Sequence, residues 1–480
     1  MEFEPVIGLE VHAQLLTESK MFCGCSANYA GAAPNTHVCP ICLGMPGTLP
    51  VINRKAVEYT VMTALALNCE IPEFSKFDRK NYPYPDLMKG YQISQYDMPL
   101  SRNGWIQVET EDGEVSRVGI NRVHLEEDTA KLLHVTDENG QSYSLVDVNR
   151  SGVPLMEIVS APDIRTPQEA RSYLIKLRAI LQALGVSTGN MEEGSFRCDA
   201  NVSLRPKGSK EFGTKTEVKN MNSFRAVQRA LEYEIKRQAD VLSKGGRIVQ
   251  ETRGWVEDKG ITVSQRSKEF AHDYRYFPEP DLPPLVLTRE WVDGVRAKLP
   301  ELPDARRDRF VAQYGLRRDD AALLTNTRAT ADFFEQTVKQ FNQPKTVANW
   351  MQSELFRLLK DGEGDVTETK ITPDMMAELL TLIDKGTISG RTGKEVFEEM
   401  FVTGRKAGEI VKEKGLAQIS DTAHLEVVVD DVIKSNPQAV ADYKSGKANA
   451  LAFLVGQVMK LTRGQANPGV VNKLLRDKLG

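Results

Sequence analysis

The sequence predicts an α+β fold: a β-rich, cradle-like N-terminal domain with a zinc knuckle, then an all-α middle domain and a small helical tail domain. Three observations predict it. Before residue 276, apolar and polar residues alternate at period two in several segments; residues 276–287 are proline-rich; and beyond about residue 296 apolar residues recur at three- and four-residue spacing. The boundaries follow these changes, with a head at 1–295, a helical middle at 296–405 and a helical tail at 406–480. At 480 residues, 41% hydrophobic and 27% charged, the chain is long enough to build a core in each part. No stretch approaches the roughly 20 apolar residues of a membrane helix. The start, MEFEPVIGLEVH, lacks the basic and apolar regions of an export signal. Six cysteines are too few for a disulfide scaffold, so a reducing, cytoplasmic setting without a membrane is expected.

Taken in order, VIGLEVHAQL (6–15) is the first strand. Ile7, Leu9, Val11, Ala13 and Leu15 share one side, and Gly8, Glu10, His12 and Gln14 the other, as a strand with one buried face requires. Next, CGCSANYAGAAPNTHVCPICLGMPG (23–47) holds Cys23-x-Cys25, thirteen residues, then Cys39-x-x-Cys42. Two close thiol pairs joined by one loop closure, among glycines and prolines, suit four soft ligands around tetrahedral zinc. A redox pair would want a thioredoxin-like βαβ setting, which is missing; a cluster that has lost its metal is the other reading. His37 is a surplus donor inside the loop, and Cys69 and Cys198 sit in apolar patterns as core residues.

Thr166-Pro167-Gln168-Glu169 is a capping box with proline at the first helical position, and Gly185 ends that helix. FRCDANVSLR (196–205) alternates again, with Cys198, Ala200 and Val202 opposed to Arg197, Asp199 and Asn201; a turn at Lys207-Gly208 and TKTEVKN predict a hairpin. The proline-rich stretch reads as an extended linker or a rigid lip over a site. TRATADFFEQTVKQF, PKTVANWMQSELFRLL and TPDMMAELLTLI are helical. SGRTGKEVF (389–397) is not a phosphate-binding loop, because Ile388 stands where glycine is needed and Glu395 where Ser or Thr is needed. Thr392-x-x-Glu395 reads instead as a capping box opening a helix. No GxSxG or SxxK signature advertises a nucleophile. Net charge is −4, yet from Lys434 to Lys478 eight Lys or Arg (434, 444, 447, 460, 463, 473, 476, 478) stand against two Asp. Such a tail suits a polyanion or, equally, a solvated helical surface.

The candidate site residues are polar groups sharing strand faces. Glu10 and His12 are two residues, or about 7 Å, apart on one face. VHLEEDTAK repeats the pattern with His124, Glu126 and Asp128. Glu157 stands in the apolar run PLMEIVSAP, where an unpaired charge is costly, and Asp199 lies on the polar side of its strand just after Glu192-Glu193. Each alone fits a salt-bridged carboxylate. Together, hard oxygen donors and an imidazole suit Mg²⁺ held for phosphate chemistry.

Long motifs in order, VIGLEVHAQLLTESKMFC, NTHVCPICLGMPGTLPV, KNYPYPDLMKGYQISQYDMPL, VHLEEDTAKL, VNRSGVPLMEIVS, EGSFRCDANVSLRP, EVKNMNSF and DYRYFPEPDLPPL, resemble the B-subunit family of aspartyl/glutamyl-tRNA amidotransferases across essentially the whole chain. The resemblance implies an ATP-dependent carbon–nitrogen ligase with glutamine as amido donor. Such a protein works with two partners, an amidase (the A subunit) and a small third protein (the C subunit). It uses ATP and Mg²⁺ to phosphorylate the side-chain carboxylate of Glu-tRNA(Gln) or Asp-tRNA(Asn), and channelled ammonia then displaces phosphate. Phosphorylation supplies the leaving group a carboxylate lacks, so metal and positive charge matter more than a nucleophile. Carried over residue by residue, the resemblance implies Glu10, His12 and Glu126, with Glu157 and Asp199, at the Mg²⁺ site. It implies Lys80 as a phosphate or channel residue, and Lys219, Asn220, Asn222 and Arg275 positioning phosphate or the tRNA end. Cys23, Cys25, Cys39 and Cys42 match structural zinc, and the basic tail would grip the tRNA body. The competing reading is a non-catalytic, zinc-containing tRNA-binding scaffold serving a catalytic partner; a scaffold has no need of Glu10, His12 and Glu126 on one polar face.

Overall fold

The computed structural model describes residues 2–109, 113–267, 274–359, 366–417, 422–462 and 466–480. The chain forms two compact units, Met1–Pro303 and Asp304–Gly480. The first is built on one sheet of eight strands: β1 (Phe3–Gln14), β2 (Ser101–Glu109), β3 (Val115–Glu127), β4 (Pro154–Ser160), β5 (Phe196–Pro206), β6 (Thr216–Lys219), β7 (Glu251–Val256) and β8 (Ile261–Ser267). Their spatial order is β8-β7-β6-β5-β1-β4-β3-β2. Every neighbouring pair is antiparallel except β6 with β7. The first strand of the chain therefore lies in the interior of the sheet.

The period-two pattern decides which face is dry. Ile7, Leu9, Val11 and Ala13 are fully buried, while Glu10, His12 and Gln14 are half-buried on the opposite face. Helices α1 (Arg54–Ala66), α2 (Pro167–Leu184) and α3 (Phe224–Ser243) contribute to the same apolar core as those strand residues, Leu177 and Leu231 among them. Local chemistry starts and stops α2 where the sequence indicates. The Thr166 side chain accepts from the Glu169 amide, Pro167 opens the first turn, and Gly185 closes α2 at φ +67°. Asn53 and Ser223 cap α1 and α3 in the same way.

The proline-rich stretch is stitched into the head. Phe277–Pro278 pairs with Asp78–Arg79, Leu285–Val286 pairs with Phe74–Ser75, and Arg79 holds buried Glu279 through two hydrogen bonds of 2.7 Å. The helix α4 (Arg289–Arg296) that follows buries Val292 and Val295 in the head's core.

The second unit is helical and has two separate cores, one running from Phe310 to Val411 and one from Leu425 to Leu479. The capping box expected at Thr392 is corrected. The helix Gly390–Thr403 is capped by Ser389, whose side chain accepts from the Thr392 amide. Thr392 occupies the third helical position and donates the capped N–H, so it is not itself the cap. In the tail, Lys447 pairs with Asp442 at 3.0 Å and Lys478 with Asp430 at 2.7 Å, which offsets part of the basic charge; Arg463 lies outside the described residues.

A buried carboxylate ties the far end of the sheet to α3. Glu234 is fully buried and receives Arg237 at 2.6 and 2.9 Å, Gln238 and Thr262 at 3.0 Å, while Gln238 also donates to the Val202 carbonyl of β5. Removing one side of such a network strands buried donors. Glu234→Ala is expected to lower the stability of the protein by about 3–5 kcal/mol, read as a fall in the denaturant midpoint.

Candidate functional site

Strand register assembles the site. In the antiparallel pairing, His12 of β1 stands opposite Glu157 of β4 on one side and Arg197 of β5 on the other, and Glu157 stands opposite His124 of β3. Four neighbouring strands thus place Arg197, His12, Glu157 and His124 in one row on the polar face. Glu126, two residues beyond His124, projects to the same side. His12 Nε2 lies 3.5 Å from Glu157 Oε2 and 3.7 Å from Glu126 Oε1; His124 Nε2 lies 3.3 Å from Glu157 Oε2 and 3.8 Å from Glu126 Oε2. Ser94 Oγ donates to Glu126 at 3.0 Å, and Arg122 reaches Glu157 at 3.6 Å.

This square of two carboxylates and two imidazoles has a consistent electrostatic bias. Burial opposes charge on His12 and His124, but Glu157, with Glu126, carries both upward, His124 to about 9. Burial likewise favours neutral Glu126 and Glu157, and the histidines outweigh it, with Lys80 adding to the pull on Glu126. One donor atom each from His12, Glu126 and Glu157 lies within 4.8 Å of the others. Hard oxygens beside an imidazole suit a divalent cation of the magnesium type.

Glu10 and Asp199 face each other one row along, outside that trio. Asn201 donates to Glu10 at 3.0 Å, and Lys219 Nζ binds Asp199 at 2.8 Å and Glu217 at 3.3 Å. Burial, then the carboxylates of Glu157, Glu217 and Asp199, push the Glu10 carboxyl up. Gly8, Glu10, Asn121, Asn201, Ser203 and Lys215 help line a pocket of about 280 Å³ beside this row. The second row therefore runs acid, acid, ammonium, from Glu10 through Asp199 to Lys219, with the Asn201 amide beside it in the row of Gly8. Asp128, by contrast, turns away to Gln14 at 2.7 Å and Arg197 at 3.1 Å, and acts as an anchor between strands.

Lys80 approaches from the strand Asp78–Asn81. Its Nζ lies 5.1 Å from the ring centre of Tyr274 and 5.8 Å from that of Tyr82. Burial disfavours its charge, but Glu126 and Glu157 raise the ammonium well above its ordinary range. Arg275 follows Tyr274 in the left-handed region at φ +43°, with its carbonyl held by Asn81 at 2.9 Å. Asn220 also has positive φ, +66°, directly after Lys219. Asparagine adopts this region readily, whereas the arginine marks backbone held by its surroundings, Asn81 among them. Asn222 is exposed at the entrance to α3. His124 is absent from the ligand set expected from sequence, although its period-two spacing from Glu126 signals it; only pairing with β4 shows that it also flanks Glu157.

The four cysteines form a separate centre. Cys23, Cys25, Cys39 and Cys42 bring their Sγ atoms within 4.8 Å of one another, with Cys39 and Cys42 3.9 Å apart. A zinc ion with Zn–S of about 2.3 Å sets tetrahedron edges near ~3.8 Å, so the thiols fit the metal. The Cys39 amide donates to Cys42 Sγ at 3.1 Å. The hydrogen bond from Cys23 lowers the Cys42 thiol to about 4, while Cys23 itself is raised. Loop residues lock the centre to the turn after the hairpin Lys131–Asp147: Asn35 accepts from the Val148 amide at 2.8 Å and Asn149 accepts from the His37 amide at 2.8 Å. His37 Nδ1 is buried without a hydrogen bond, and the ring is not among the clustered donors.

With this geometry in view, comparison with known proteins is direct. Residues 5–293 match the GatB/GatE catalytic domain family, and residues 332–479 match the GatB domain family. A protein of Carboxydothermus hydrogenoformans, named as the B subunit of aspartyl/glutamyl-tRNA(Asn/Gln) amidotransferase, is 62% identical over 478 residues, covering 100% of this chain and 99% of its own. Proteins of the same name from Caldanaerobacter subterraneus subsp. tengcongensis and Brevibacillus brevis are 59% and 58% identical, covering 100% of this chain and 100% and 99% of their own.

Two outcomes follow from the charge and metal arrangements. Because His124 gains a proton partner on folding, its contribution is complete below about pH 6.5 and is lost as pH rises through about 9. Thermal stability in magnesium-free buffer is expected to fall across that window, and His124→Asn is expected to flatten the fall. Cys42→Ser is expected to abolish stoichiometric zinc in metal analysis and to lower the unfolding temperature by several degrees.

Proposed function

This chain belongs to the GatB family, and from that premise we propose that its polar sheet face phosphorylates the side-chain carboxylate of Glu-tRNA(Gln) or Asp-tRNA(Asn), with ATP and Mg²⁺. Ammonia released from glutamine by the amidase partner (the A subunit), in a complex with the small third partner (the C subunit), then displaces the phosphate to form the amide. The observation that carries the reading is the His12–Glu126–Glu157 cluster with Lys80 close enough to be held charged by Glu126 and Glu157: a dense set of donors for a metal beside a cation.

Each residue has a task in this reading. His12, Glu126 and Glu157 would hold Mg²⁺, with Glu10 and Asp199 completing the set from the next row. Bound there, the metal would neutralise charge on the transferring phosphoryl oxygens. Lys80, kept charged by Glu126, meets the oxyanions of the reacting carboxylate or phosphate. Lys219, already bridging Asp199 and Glu217, together with Asn220, Asn222 and Arg275, positions phosphate or the tRNA end. His124 orients Glu157 and Glu126 from the side away from His12. The cysteine centre shapes the region that receives the acceptor end, and the basic residues of the tail domain, 406–480, hold the tRNA body.

The decisive experiment follows labelled γ-phosphate from ATP, with this chain, its amidase and small partners and Glu-tRNA(Gln), and without glutamine. Transfer is expected only when the misacylated tRNA is present. Glu126→Gln and Glu10→Ala are each expected to reduce transfer by about 10²–10³-fold or more, with tRNA affinity nearly unchanged. Absence of transfer in a native complex that binds the tRNA would instead make this chain the zinc-containing scaffold and place activation in a partner.

A further inference from the structure

We propose that Lys20 is the counter-cation of the four-cysteine metal centre, a positioning residue whose ammonium balances the negative charge of the loaded thiolates. Lys20 is completely buried and ranks with Tyr173 and Phe196 among the largest fully buried side chains. Its Nζ donates to two peptide carbonyls, His37 O at 2.8 Å and Val148 O at 3.3 Å. Among the described residues, no carboxylate lies within 4.0 Å of it. A buried ammonium that has only neutral acceptors is costly, so an anion must stand close by.

The cysteine centre is that anion. Zinc with four thiolates has a net charge of about −2. Lys20 lies against it: a Cβ placed at Gly152 would meet Lys20 Cδ at 3.5 Å and Cys42 Cβ at 3.9 Å, so the two side chains border one spot. The backbone joins them as well, since the Lys20 amide donates to the Cys25 carbonyl at 2.9 Å and the next amide, of Met21, donates to Gly152 O. The ammonium makes no hydrogen bond to a cysteine sulfur among the described residues, so it acts on the centre through space, its charge helping to draw the Cys42 thiol toward thiolate. The same side chain ties the metal loop, through His37, to the turn at Val148 that leads into β4. Charge on the metal centre thereby favours a lysine where an apolar side chain would otherwise pack. This inference is independent of the phosphorylation reading.

The test measures zinc affinity of the full chain by competition with a chromophoric chelator, alongside thermal unfolding of zinc-loaded and zinc-free protein. Lys20→Met removes charge and hydrogen bonds at similar length; Lys20→Gln removes the charge but keeps N–H donors, one bond nearer the backbone, on the same side of the carbonyls. Both are expected to weaken zinc binding by about 10–100-fold, and Lys20→Met is expected to leave the zinc-free protein at least as stable as the native one. Zinc binding by Lys20→Gln as tight as in the native protein would overturn the proposal and make Lys20 a carbonyl tie alone. An equal loss of stability by Lys20→Met with and without zinc would do the same. Should Lys20→Met fail to fold, the Lys20→Gln affinity decides.

Discussion

The pairing of the first strand between β5 and β4 is the constraint on which the head depends. It sets His12 opposite Glu157 and Glu10 opposite Asp199. Side chains alternate with period two, so a slip of one residue would drive Glu10 and His12 into the apolar core and expose Leu9 and Val11. The buried row Ile7, Leu9, Val11 and Ala13 makes that slip prohibitive. The hydrophobic effect on one face thus fixes the geometry of the chemistry on the other.

The polar face solves a problem of charge density. Glu157 is nearly buried in a strand whose other residues are all buried, yet it is flanked by two imidazoles and reached by Arg122. Without a metal, protonated histidines supply the compensating charge; a cation would take over that role and release the protons. Lys80 adds a fixed positive charge from a separate small sheet, stitched on by the proline-rich segment. The segment's extended backbone serves this purpose well, because proline resists collapse into helix, while the amides of Glu279 and Leu287 donate to the Phe77 and Glu73 carbonyls.

The cysteine centre is joined to the sheet through Met21 and Phe22, which lie in the head's core just before Cys23, and through short polar links. Asn35, His37 and Lys20 fasten the metal loop to residues 147–149. That turn feeds β4, which carries Glu157. A loop rich in glycine and proline is held by the hydrogen bonds around its four clustered thiols, and a bound metal would add ligation to them.

Much of this was legible in the sequence because it depends on short-range rules. Alternation in VIGLEVHAQL and FRCDANVSLR named the strands and their dry faces, Thr166 and Gly185 bounded α2, and Cys-x-Cys with Cys-x-x-Cys announced four clustered thiols. The choice of cap at Ser389 over Thr392 was not legible, because both offer a hydroxyl and only the backbone conformation selects between them. Nor could spacing reveal that His124 joins His12, Glu126 and Glu157 while Asp128 turns to Arg197: those partners are distant in the chain and meet through strand order and register. The sequence by itself determined the strands at 6–15 and 196–205 with their polar faces, the helix opened at Thr166 and the thiol cluster, since period and capping are local. Only the tertiary structure decided which acids share a site, because that depends on which strands become neighbours, and neighbours are chosen by the core.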